Sequence, residues 1–210
     1  MSQNERAHAA SLISAAIMQG ATHTEQANAQ GFYSIECRDS AGRLKWTDEI
    51  HNVVVTEGKN SALTNFLKGS AFTQTVFMGL IESTGYGFAG AQGSGVAATN
   101  LASSITAVAG ASPANGWNEA PSGVCATRGT PSFGSASAGA LALSTALAFS
   151  ILATATIKGV FLITKNAAGT AATSAVGNTA GSIYSAGLFS GGDKAVANGD
   201  TLSVSYTASL

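Results

Sequence analysis

Three histidines, two cysteines and eleven carboxylates supply whatever acid–base, metal-binding or thiol chemistry this chain has. His8 and His23 lie within the first 30 residues, a poor placement for a triad, and His51 stands near the carboxylates of Asp48 and Glu49. An acid–base cluster would need these groups to converge. Successive side chains of a strand point to opposite faces, which separates Asp48 from Glu49 and predicts the exposed polar end of a strand instead. Of the remaining carboxylates, Glu36, Asp39, Glu57, Glu82 and Glu119 show no paired motif of the kind that glycoside hydrolysis requires. Gly191-Gly192-Asp193 and Asn198-Gly199-Asp200 resemble loops that wrap a hard cation. Two aspartates with backbone carbonyls fall short of the six or more oxygens calcium takes, and Asn-Gly is a favoured hairpin pair, so both are read as turns. Gly85-Tyr86-Gly87-Phe88-Ala89-Gly90 has the letters of the dinucleotide-binding motif. That motif works only where a helix follows, and Ala91-Gln92-Gly93-Ser94-Gly95 starts none, so a surface loop is expected. Cys37 and Cys125 have neither a C-x-x-C partner nor a histidine cluster and are expected as two buried free thiols, or at most one bridge between distant strands. No catalytic site, metal or cofactor is predicted.

The elements that carry these residues are built from little charge. Only 10 % of the 210 residues are charged, against about 25 % in an average soluble domain, while 45 % are hydrophobic. The surface must therefore be made of Ser, Thr, Asn, Gly and Ala. A net charge of −1 gives copies little reason to repel one another, which suits dense assembly and a homo-oligomer. It also offers no basic excess for nucleic acid. The sequence near Met1 lacks the hydrophobic core of a secretory signal. The apolar run 138–155 is interrupted by Ser144, Thr145, Ser150 and Thr154, so no membrane span is expected.

Residues 1–30 form an arm. Ala9, Ala10, Leu12, Ile13, Ala16 and Ile17 recur at helical spacing up to Gly20, giving either a short amphipathic helix that needs a dock or a disordered leader. The body, 31–210, begins with a hairpin: alternation over Phe32–Arg38, a turn at Asp39–Arg43, and return over Leu44–Ile50, with His51–Val55 extended. Thr56 caps a helix whose apolar face holds Leu63, Phe66 and Leu67, ended by Gly69. A strand over Phe72–Ile81 follows, apolar on both sides as a central strand is. The stretch 82–137 is a glycine-rich excursion holding all three prolines, with a short strand expected near Gly123–Arg128. Strands resume over Leu143–Ile151 and Ala155–Thr164, a flexible loop spans Asn166–Thr179, and two alternating strands joined by a turn region occupy the rest. About eight extended segments with long excursions predict a mainly β fold, a jelly-roll-like β-sandwich with one short helix and an N-terminal arm. Its core candidates are Phe161–Ile163 and Val53–Val55, with Trp46, Phe77, Phe149 and Phe189 as plugs between the sheets.

Particular segments resemble tailed-bacteriophage virion proteins. They are Tyr33-Ser-Ile-Glu-Cys-Arg-Asp-Ser40, Leu44-Lys-Trp46, Asn52-Val-Val-Val-Thr-Glu-Gly-Lys-Asn60, Val76-Phe-Met-Gly-Leu-Ile81, Leu188-Phe-Ser-Gly-Gly-Asp-Lys-Ala-Val196 and Asn198-Gly-Asp-Thr-Leu202. The resemblance covers most of 32–81 and 156–210, and its motifs are structural. It implies a virion structural protein similar to capsid cement, or decoration, proteins: made in the host cytoplasm, sited on the capsid exterior and bound to the major capsid protein. A tail, neck or fibre-associated component is the alternative within the virion, and a carbohydrate-binding or carbohydrate-degrading virion module is the alternative of a different functional class. Leu12, Ile13, Ala16 and Ile17 of the arm are the expected shell contacts, followed by Tyr86, Phe88 and Trp117, since exposed aromatics anchor interfaces.

Overall fold

A computed structural model describes residues 29–54, 56–67, 75–83, 118–165, 170–178 and 180–209. The expected contact residues Leu12, Ile13, Ala16, Ile17, Tyr86, Phe88 and Trp117, with His8, His23 and the Gly85–Gly90 motif, lie outside them. The described chain runs β1 (Gln30–Arg38), β2 (Leu44–Val54), α1 (Thr56–Leu67), β3 (Val76–Glu82), β4 (Asn118–Glu119), β5 (Ala140–Ala142), β6 (Leu147–Ser150), β7 (Ala155–Thr164), β8 (Ser182–Leu188), β9 (Lys194–Val196) and β10 (Thr201–Ser209).

Every strand pairing is antiparallel, in the order β4-β3-β7-β8-β2-β1-β10-β5, with β6 beside β10 and β9 beside β7. Between its long strands the path narrows at β2–β8. β2 meets β8 only through Val53–Ala186 and Val54–Ser185, and there the ladder folds into a β-sandwich of two layers. Tyr33, Ile35 and Cys37 of β1 and Leu202, Val204 and Tyr206 of β10 alternate inward from the first layer. They share one core with Met78 and Leu80 of β3 and Ile157, Val160 and Leu162 of β7. The tie across the layers is polar as well: the Tyr33 and Ser185 hydroxyls are hydrogen-bonded at 2.8 Å.

Gly159–Thr164 is buried on both faces, which is why the run reads as continuously apolar rather than alternating. Phe161 and Ile163 turn away from the main core yet are fully buried, with Phe161 under the Arg128 guanidinium at 5.6 Å. Glycine allows the strands of this layer to close up. A Cβ on Gly159 would lie 2.1 Å from the Gly187 carbonyl oxygen, a backbone atom that cannot step aside. Gly159→Ala is therefore expected to destabilise the fold by about 1–3 kcal/mol, as overpacking does, read as a lower denaturation midpoint at unchanged slope. An unchanged midpoint would overturn this account of the β7–β8 spacing.

The β1–β2 hairpin, the strand over Ala155–Thr164 and the inward alternation of β10 match expectation; other readings need correction. Ser182 onward holds three strands, and β8 and β10 are not partners: β8 joins β7 and β2, while β10 joins β1. Leu143–Ile151 is broken, because Leu143 bridges Phe133 and the strand runs only over Leu147–Ser150. Gly123–Arg128 forms turns, in which the Val124 and Cys125 amides donate to the Pro121 carbonyl, and the strand residues nearby are Asn118–Glu119. Phe77 is half-buried and outside the inter-layer core, being on the opposite face of β3 from Met78 and Leu80; Trp46, Phe149 and Phe189 do pack there. Leu63 is 58 % exposed, since α1 approaches β8 through Gly58, whose Cβ would stand 2.4 Å from the Tyr184 carbonyl oxygen.

Candidate functional site

Strand alternation separates Asp48 from Glu49 as expected, but Asp48 is no exposed strand end. Its carboxylate is buried while Glu49 and His51 are exposed, and His51 rests against the Phe32 ring at 5.1 Å. Asp48 Oδ1 accepts from the Ser190 amide at 3.0 Å and hydroxyl at 2.9 Å; Oδ2 accepts from the Gly191 amide at 3.1 Å and from Lys194 Nζ at 2.9 Å. Burial raises its pKa, but the Lys194 ammonium and the Ser190 and Gly191 donors outweigh that and hold it below the ordinary Asp value. The Lys194 ammonium also lies 5.9 Å from the centre of the Trp46 ring.

The two glycine-aspartate turns follow the same logic. Asp200 Oδ2 accepts from Lys45 Nζ at 2.5 Å and from the Ala197 amide at 2.8 Å, closing the turn in which Gly199 takes φ +86°. Asp193 accepts from Lys158 Nζ at 2.7 Å and from the Ser83 hydroxyl; burial raises its pKa, and these partners lower it by more. Each carboxylate that a cation would need already faces a lysine. Among the described residues no group of three His, Cys, Asp or Glu side chains is placed to hold a metal ion.

Cys37 and Cys125 are free and buried. Burial, with the Asp200 carboxylate beside it, pushes the Cys37 thiol up to about 11, and burial likewise raises Cys125. Both thiols stay protonated at neutral pH, and the thiolate is the nucleophile, so neither is poised for attack.

Sequence reading missed the most deeply buried charges. Arg128, with no exposed side-chain surface, donates from Nε to Glu119 Oε1 at 2.7 Å and from Nη2 to Oε2 at 2.8 Å. Its other donors reach the Thr173 and Asn178 carbonyls at 3.1 and 2.7 Å, and the Gly177 amide donates to Glu119 Oε2 at 2.7 Å. This fork pins the stretch 173–178, expected as a flexible loop, over the outer face of β7. Nothing in the sequence pairs Glu119 with Arg128 before both are brought onto that face.

An apolar cleft was also missed. It measures about 450 Å³ and opens at the end of the sandwich where β3 and β8 begin and β7 and β10 end. Tyr206 and Leu141 line it from the first layer, Val76, Leu162 and Tyr184 from the second, and Phe133 closes one side. The buried Thr164 hydroxyl in its wall has no partner among the described residues. No described helix is long and apolar enough to cross a membrane. No protein-family model, curated protein or solved structure matches the chain.

Proposed function

We propose that this protein is a non-enzymatic structural component of a tailed-phage virion, a capsid cement or decoration protein. A jelly-roll-like body would bind the outer shell and bridge major capsid protein subunits. The observation that supports a structural role is the use made of buried charge: Asp48, Glu119 and Asp200 each hold a turn or loop against the sandwich through an internal cation. These groups are committed to shape. A surface poor in charge packs against neighbours at low electrostatic cost, and a protein bridging two subunits adds contact area that must be lost before a shell opens.

The test is the ratio of this chain to the major capsid protein in purified particles, by quantitative mass spectrometry. Cement predicts copies on the scale of the capsid subunits themselves. A few copies per particle would move the protein to the neck, tail or fibre, and absence from particles would end the virion reading.

A further inference from the structure

The cleft at the open end of the sandwich needs an occupant. We propose that it seats the chain's own N-terminal segment, with Leu12, Ile13, Ala16 and Ile17 as the side chains that fill it. Position argues for this first. Gln30 pairs with Ser209 and Gly31 with Ala208, and Ala208 is part of the cleft wall, so the chain on the N-terminal side of Gln30 leaves the sheet at the mouth.

Chemistry agrees. None of the cleft's described wall residues is charged, and the ten residues Ala9–Met18 carry no charge. The four named residues fall on one face at helical spacing, a pattern too short to hold a helix in water without a surface to cover.

Reach decides between this chain and a second copy. The residues between Ile17 and Gln30 extend to roughly 40 Å, more than the roughly 30 Å length of a nine-residue strand such as β10. A tether of that kind holds its end at an effective concentration on the order of millimolar, above that of other copies in dilute solution. The inference concerns the free chain and does not depend on a virion role. It reassigns the four arm residues from shell contact to packing on their own body.

The test uses the full chain with p-benzoylphenylalanine in place of Ile13, mixed as isotopically light and heavy copies and irradiated. Cross-links to peptides holding Phe133, Leu141 or Tyr184, each within a single light or heavy chain, are expected. Cross-links that join light to heavy chains, or that reach no cleft peptide, overturn the proposal. As a second reading, the Ile13→Asp/Ile17→Asp double variant is expected to raise anilinonaphthalene sulfonate fluorescence several-fold while the sheet signal of the far-ultraviolet circular dichroism is retained. Unchanged fluorescence counts against it.

Discussion

Replacing Glu119 by alanine is expected to lower the folding free energy by about 3–5 kcal/mol, the largest loss of any substitution considered for this chain. The reason is the charge left behind. Arg128 has no exposed side-chain surface, so with Glu119 gone its guanidinium keeps only the Thr173 and Asn178 carbonyls and the face of Phe161. Two carbonyl dipoles do not neutralise a buried cation. Arg128→Met removes the cation instead and strands the Glu119 carboxylate, which retains the Gly177 amide alone, at similar cost. The pair therefore makes a double-mutant cycle informative. Combining Glu119→Ala with Arg128→Met leaves neutral groups unpaired but no orphan charge, so the double variant should be no less stable than the worse single one. Urea unfolding of the four proteins supplies the coupling energy, expected at several kcal/mol. Strictly additive losses would mean that the fork is not what holds the 173–178 stretch down.

How much of this could be read in the sequence depends on whether a feature is local. The β1–β2 hairpin was legible because Tyr33, Ile35 and Cys37 alternate and Gly42, at φ +77°, supplies the left-handed turn residue. The strand β7 was legible from its β-branched run, and Phe161–Ile163 within it as buried. The path of β8 and β10 was not: both alternate cleanly, but alternation does not name the strand each one pairs with. What separates them is the competition for partners. β1 offers β10 nine paired positions, from Gln30–Ser209 to Arg38–Thr201, while β7 offers β8 the matching edge of the other layer. Strands of two or three residues, such as β4, β5 and β9, carry too few side chains to show any period. Charge roles were the least legible. Asp48, Asp193 and Asp200 were visible as turn or strand-end residues, yet the lysines they meet, Lys194, Lys158 and Lys45, come from distant positions or from a strand the sequence did not reveal.

Asp48→Ala is the second large effect, about 3 kcal/mol at neutral pH, and pH separates its origin from simple loss of packing. The carboxylate accepts from the Ser190 amide and hydroxyl, the Gly191 amide and Lys194, and hydrogen bonds to a charged group are worth about 1.5–3 kcal/mol each before desolvation is set against them. Although burial raises the Asp48 pKa, these partners lower it further, so the folded chain binds this proton less tightly than the unfolded chain does. The stabilisation is therefore fully present above the ordinary Asp value of about 3.9 and is lost as pH falls through the depressed folded value. Asp193, held low by Lys158 and Ser83 against the effect of its burial, adds a contribution of the same sign. Wild-type stability should accordingly fall on acidification below about pH 4, and the Asp48→Ala variant should be less stable at neutral pH but lose less on acidification, so that the two curves converge at low pH. Parallel curves would show that the Asp48 charge contributes nothing and that the loss is one of shape. Convergence would identify the ionised Asp48 carboxylate, through its Ser190, Gly191 and Lys194 donors, as the tie that fastens the Ser190–Asp193 turn, and with it β9, to the body of the sandwich.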